Sequence, residues 1–322
     1  MIHLAWIIIS HYMKGANMVK QLSSYSQILN ELRQRFEESD NMSEDLLLSL
    51  ESEIANFDEN RFITDRDRFE HLLKNVLEND KVAIIVFYFA VIRKYIPNLN
   101  KGIATLFGTG ICVKSGCLLC GIKQPSFILM KNTFERLCKI FPGMKQSYPI
   151  FDAEFEADER LMQYLCASDL PDERIAKFTN LNLTTGESFD DINSTELSYF
   201  LKSKMELGMS IWLLGMQDDT NSVKRCCTSV GRCLISVDAS SLNMLQISLF
   251  TELIFREALL YDAYIYITDV EKADVGVVYT LIMQAIKDKI PIITGSFNTI
   301  NLLQMTERNF FIYDAKSTLS LT

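Results

Sequence analysis

Short apolar runs separated by helix-length stretches constrain the second half of this chain more than any other feature. Ser210–Leu214, Cys233–Val237, Tyr264–Thr268, Ile290–Thr294 and Phe310–Tyr313 alternate with helical patterns over 220–231, 243–260, 272–288 and 299–305. Four of these runs are continuously apolar but for at most one Ser or Thr, without the in-out alternation of a strand with one wet face, as strands covered on both sides require. The alternation predicts an α/β domain with a parallel five-stranded sheet, helices on both faces and right-handed crossovers. Ligands of such sheets bind beyond the carboxyl ends of the strands, where Gly215 and Asp269 fall.

The first half reads differently. Leu22, Ile28, Leu29, Leu32 and Phe36 recur at helical spacing, Ser43 precedes a second amphipathic pattern, and Asp65–Leu77 (DRDRFEHLLKNVL) is a third. Val82–Tyr95 is an apolar fourth helix stopped by Pro97, and it is too short to span a bilayer. Residues 101–121 are glycine-rich and ambiguous, Asn132–Phe141 is a short helix, and Phe151–Leu165 reads as helical. Thr184–Ser188 reads as a loop or tight hairpin. The expected division is 1–19 as a disordered segment or one ahead of the true start at Met13 or Met18, 20–195 as a mainly helical domain, and 196–322 as the α/β domain.

Between the first two strands lies GMQDDTNS, Gly215 to Ser222. A phosphate-binding loop needs G-x-x-x-x-G-K-[ST] at this place. Its second glycine lets backbone N–H groups wrap the phosphates, its lysine neutralises charge and its hydroxyl holds Mg²⁺. Gly215 fits the first position and Ser222 the last, but Thr220 and Asn221 replace Gly-Lys, and Asp218 and Asp219 add negative charge where phosphate would lie. Lys224 is about half a helical turn past Ser222 and substitutes poorly. The strand Tyr264–Thr268 ends on Asp269, the layout of a Walker B strand. Val270 stands where a water-polarising glutamate would follow, and Glu271 would point away if strand alternation continued.

The segments IWLLG, GRCLISVDASSL, FREALLYDAYIYITDVEKA and PIITGS make 205–314 resemble the P-loop-like core of an AAA+ ATPase. They are most similar to the first, degenerate module of bacterial two-module ATPases with helical and winged-helix N-terminal regions, often linked to contractile injection systems; DERLMQYLCASDLPDERI (158–175) is similar to the end of that region. The resemblance implies an N-terminal domain of winged-helix type and a second module, absent here with the helical lid, that hydrolyses ATP with Mg²⁺. It implies partners among other AAA+ subunits or a downstream ATPase module. It carries Gly215, Ser222 and Asp269 over as a vestigial nucleotide site. Thr220, Asn221 and Val270 depart from it, as does Gly295-Ser296 in place of a sensor asparagine. Arg308 lies near the place of a trans-acting arginine and reads as an ordinary surface residue.

Eight cysteines without a secretion signal imply free thiols in a reducing cytoplasm. Cys112, Cys117, Cys120 and Cys138 have a spacing that occurs at iron–sulfur and zinc sites, yet Leu118 and Leu119 lie between the central pair, and buried core thiols are the preferred reading. His71 has no neighbouring ligand type. A net charge of −9 without a basic run disfavours nucleic acid as a partner. The expected function is a non-catalytic AAA+-like scaffold, part of a two-module ATPase, with no cofactor and no confident catalytic residue. The alternatives are a weak or partner-completed ATP-hydrolysing subunit and a cysteine-based metal or redox regulator.

Overall fold

A computed structural model of the chain describes residues 28–30, 32–58, 63–144, 151–183, 196–215, 220–296 and 310–314. The chain divides into two compact units, Met1–Leu170 and Pro171–Thr322.

Among its described residues the first unit is built of helices and turns. After a helical stretch at 32–37 come α1 (Glu44–Ala55), α2 (Arg66–His71) running into a π-turn at Leu72–Val76, α3 (Lys81–Ile92), α4 (Leu99–Phe107), α5 (Val113–Leu119), α6 (Phe127–Cys138) and α7 (Glu159–Leu165). Ser43, Asp65, Ser126 and Asp158 each accept a hydrogen bond from a first-turn backbone N–H, so polar punctuation in the sequence sets where helices begin. Helix α3 carries KVAIIVFYFAVI, and residues 82–92 are all buried. A helix apolar all round has to be the centre of its domain.

Asp80 fastens that central helix. Its Oδ1 accepts from the N–H groups of Val82 and Ala83, at 3.0 and 3.1 Å, while Oδ2 accepts from Arg136 Nη1 and Thr133 Oγ1 of α6, both at 2.9 Å. Arg136 also holds Glu78, and that hydrogen bond keeps the Glu78 carboxyl below its ordinary range against the opposing effect of burial. Against the other side of α3 lies α5, admitted by Gly116. A Cβ there would stand 2.4 Å from Val86 Cγ2. The ambiguous 101–121 region thus resolves into α4 and α5. Helix α6 starts before the expected Asn132, and of the expected Phe151–Leu165 helix only α7 forms.

The second unit holds a six-stranded sheet of β1 (Thr179–Asn182), β2 (Ile211–Leu214), β3 (Leu234–Asp238), β4 (Tyr264–Thr268), β5 (Ile292–Ser296) and β6 (Phe311–Asp314), in the order β1-β3-β4-β5-β2-β6. Five strands are parallel, as expected from their apolar character, and β1 is added antiparallel to β3. The sixth strand corrects the five-stranded expectation. Its sequence, TNLN, is polar because it is an edge strand, and nothing in it signals pairing. The second unit begins at Pro171 and not at 196, because Ile175 and Phe178, just ahead of β1, are buried in the core of the α/β unit.

The helices are α8 (Glu196–Glu206), α9 (Thr220–Ser229), α10 (Ile247–Leu260) and α11 (Val275–Asp288). Alternate strand residues sort onto two faces. Trp212, Ile235, Val237, Ile265, Ile267 and Ile292 pack with α10 and α11. Ile211, Leu213, Leu234, Tyr264, Tyr266 and Ile293 pack with α8 and α9. Handedness explains the division. The step from β2 to β3 runs one way across the sheet and the steps β3 to β4 and β4 to β5 run the other way, so right-handed crossovers send α9 to one face and α10 and α11 to the opposite one.

Candidate functional site

The direction of the crossovers switches between the neighbouring strands β5 and β2, and parallel α/β sheets offer their ligand crevice at the carboxyl edge of such a switch. Gly215 leaves β2 there with φ 78°, a left-handed turn that suits glycine, and its N–H donates to the Ser296 carbonyl of β5 at 2.9 Å. On the other side, Ile267 of β4 pairs with Thr294. Continuing that register sets Asp269 level with Ser296, about 10 Å from β2 at two strand spacings. Gly215 and Asp269, 54 residues apart in sequence, therefore share one edge, and Ser222 stands in the first turn of α9, which follows β2. Asp218, Asp219 and Arg308 lie outside the described residues, as does the 299–305 pattern.

The details of this edge bear on what it can do. Asp269 follows the last residue of β4 with φ 53°, a left-handed conformation uncommon for a side-chain-bearing residue. Its carbonyl accepts from the N–H groups of Lys272 and Ala273, and its carboxylate forms an ion pair with the Lys272 ammonium. The chain turns at Asp269, so strand alternation does not extend to Glu271, which is exposed within the turn. Val270 is buried in the core beneath α10 and α11. Val270, the position at which the resemblance would put a water-polarising glutamate, is thus a core residue.

Ser296 stands where a sensor asparagine was expected, and it is buried, with its Oγ accepting from Trp212 Nε1 at 3.0 Å. Trp212 itself is fully buried and stacks edge-on against Phe310, at 5.3 Å between ring centres. The end of β5 is therefore committed to packing on the α10–α11 face.

The described carboxyl edge is acidic, with Asp238 ending β3, Asp269 following β4 and Asp314 ending β6. Asp238 accepts from Ser240 N at 3.0 Å and Ser240 Oγ at 2.6 Å, and from the Ser241 hydroxyl. Burial pushes its carboxyl up, but the hydrogen bonds from Ser240 and Ser241 outweigh that and hold it below the ordinary carboxylate range. An acidic edge disfavours a polyphosphate, and the Lys272 ammonium at the β4 turn is paired with Asp269.

The cysteines do not form a ligand set. Cys112 caps the start of α5, Cys120 caps its end and Cys138 closes α6. Eight helical residues separate Cys112 and Cys120 by about 12 Å along the axis, three times the roughly 4 Å between sulfurs around one zinc ion. Among the described residues no group of three His, Cys, Asp or Glu side chains could hold a metal ion. Burial pushes the Cys117 thiol up to about 11 and the Cys120 thiol up to about 12, the reverse of an activated thiolate. His71 meets Asn75, whose amide nitrogen lies 2.9 Å from its Nδ1.

One charged constellation gave no signal in the sequence. Asp172, at the start of the second unit, accepts from Arg256 Nη2 of α10 at 2.5 Å, from Arg174 Nε at 2.8 Å and from Arg174 N at 2.9 Å. The Asp172 and Arg256 side chains are both buried, whereas Arg174 is half exposed. Burial raises the Asp172 carboxyl, but the hydrogen bonds from Arg174 and the charges of Arg256 and Arg174 outweigh it and leave it below its ordinary value. Residues 84 apart in sequence meet here only because the chain before β1 folds over α10.

Compared with models of protein families, with curated proteins and with solved structures, the chain shows no match.

Proposed function

We propose that the second unit is a degenerate AAA+-type nucleotide fold that serves as a non-hydrolysing scaffold. The observation that carries this reading is the state of the turn after β4, where Asp269 is held by Lys272 and Val270 is part of the core. Turnover of a nucleoside triphosphate needs cationic stabilisation of the phosphates and an acid or amide that orients water. Thr220 and Asn221 in place of Gly-Lys, an acidic carboxyl edge and a buried valine at the water-polarising position all stand against it. Support for the ancestry comes from placement: the first-glycine and acidic-strand positions, distant in sequence, fall on one carboxyl edge at a strand-order reversal. On this reading the partners are other AAA+ subunits or an ATPase module, ATP and Mg²⁺ belong to that partner, and the compartment is a reducing cytoplasm. The first unit enters as a helical body. No helix of the described residues is long and apolar enough to cross a membrane.

A phosphate-release assay on the purified full chain tests the proposal. Turnover at background level is expected, with little heat on titrating ATP and Mg²⁺ into the protein. Turnover that disappears in Asp269→Asn would overturn it in favour of a weak ATP-hydrolysing subunit.

A further inference from the structure

Helix α11 has a second apolar side. Val277, Val278, Leu281, Ile282 and Ala285 face the core, but Val275, Tyr279 and Met283 are exposed and recur every fourth residue, which lines them up along the outer face. Val275 is 68% exposed. At the amino end the stripe continues into Met244, whose Sδ and Cε lie 3.3 Å from where a Cβ on Gly276 would stand, and into Leu245, 93% exposed. A contiguous apolar strip on a soluble surface marks an interaction site.

The ends of the stripe differ in charge, and that difference selects an occupant. Glu271 and Asp274 lie at its amino end beside Lys272, whose charge is paired with Asp269, and Lys287 and Lys289 lie at its carboxyl end beside Asp288, whose carboxylate accepts from Gln284 Nε2 at 2.6 Å. Laid antiparallel on a second copy of itself, the stripe matches in both respects. With Tyr279 at the centre, Val275 meets Met283 of the other copy, and the turn carrying Glu271 and Asp274 ahead of the helix comes to the end carrying Lys287 and Lys289. A parallel arrangement would instead bring the two acidic ends together. A surface that complements itself under a two-fold rotation is what an isologous dimer interface requires. We propose that the chain associates as a two-fold dimer through the outer face of α11, with Tyr279 on the axis. This rests on the α11 surface alone and is independent of the nucleotide-fold reading.

The test is sedimentation velocity of the full chain over a series of micromolar concentrations. A concentration-dependent dimer is expected. Tyr279→Glu places two carboxylates on the axis and abolishes the dimer, while leaving the far-ultraviolet circular dichroism unchanged because the side chain is exposed. Glu271→Lys and Lys287→Glu each weaken association several-fold, and the double variant restores it, since each contact occurs twice and both are reversed together. In a Cys166→Ser background, Tyr279→Cys forms a disulfide-linked dimer under mild oxidation, which demands that the two Cα atoms approach within about 7 Å. A wild-type chain that is monomeric at every concentration overturns the proposal. So does a dimer indifferent to Tyr279→Glu.

Discussion

Replacing Asp172 by Asn keeps the shape of the side chain and removes its charge. What remains is the Arg256 guanidinium, 1% exposed, with the Glu257 carboxylate 3.9 Å from its Nε. Breaking a buried ion pair by neutralising one partner costs about 3–5 kcal/mol, because the surviving charge stays out of water without compensation. The residual attraction of Glu257 places Asp172→Asn at the low end, about 3 kcal/mol. For a unit of about 150 residues this corresponds to a fall in Tm of roughly 6–12 °C. Trp212 is buried in the second unit, and the chain's other tryptophan, Trp6, lies outside the described residues. In a Trp6→Phe background, indole fluorescence during thermal and urea unfolding therefore reports the second unit. Arg174→Ala removes a half-exposed partner and should cost about 1 kcal/mol or less. The double variant Asp172→Leu/Arg256→Met replaces the pair with apolar groups and should recover most of the loss. The pH dependence has a definite sign. The folded carboxyl titrates below its unfolded value, so its contribution is complete above about pH 4 and is lost as the pH falls through the folded value. An Asp172→Asn protein within 1 kcal/mol of wild type would refute the reasoning, as would an Arg174→Ala protein as unstable as Asp172→Asn.

Two other perturbations follow from the first unit. Gly116→Ala inserts a methyl group 2.4 Å from Val86 Cγ2 and 3.1 Å from Val82 Cγ1, and should destabilise the unit by about 1–3 kcal/mol in urea unfolding. With a thiol reagent at neutral pH, the exposed Cys166 should react first and be lost from the fast phase in Cys166→Ser, whereas Cys117 and Cys120 should react only on unfolding. A fast phase from Cys117 or Cys120 would revive the redox alternative.

Much of this architecture could be read from residue order. The apolar runs at 210–214, 233–237, 264–268 and 290–294 announce buried parallel strands, because side-chain hydrophobicity is what decides whether a strand can be covered on both faces. The apolar sweep of α3 announces the centre of the helical unit for the same reason. Ser43 and Asp65 mark helix starts through bonds made to their own neighbours, whereas Asp158, which starts α7, went unread within the expected Phe151–Leu165 helix. What escaped was nonlocal. Strand β1 has a single apolar residue, Leu181, too little to announce a strand, and it pairs because β3 offers it an open edge.

The candidate site divides along the same line. Gly215, Ser222 and Asp269, and the departures at Thr220, Asn221 and Val270, are plain in the sequence. How far apart Gly215 and Asp269 stand on that edge depended on β5 inserting between β2 and β4, and strand order is set by how the whole sheet buries its two faces. The sequence determined most of the elements and the residue types at the loop after β2, since both follow from residues close together in the chain. Only the tertiary structure decided that Ser296 is tied to Trp212, that Val270 is a core residue and that Asp172 meets Arg256. Each of those depends on which distant segment is packed against it.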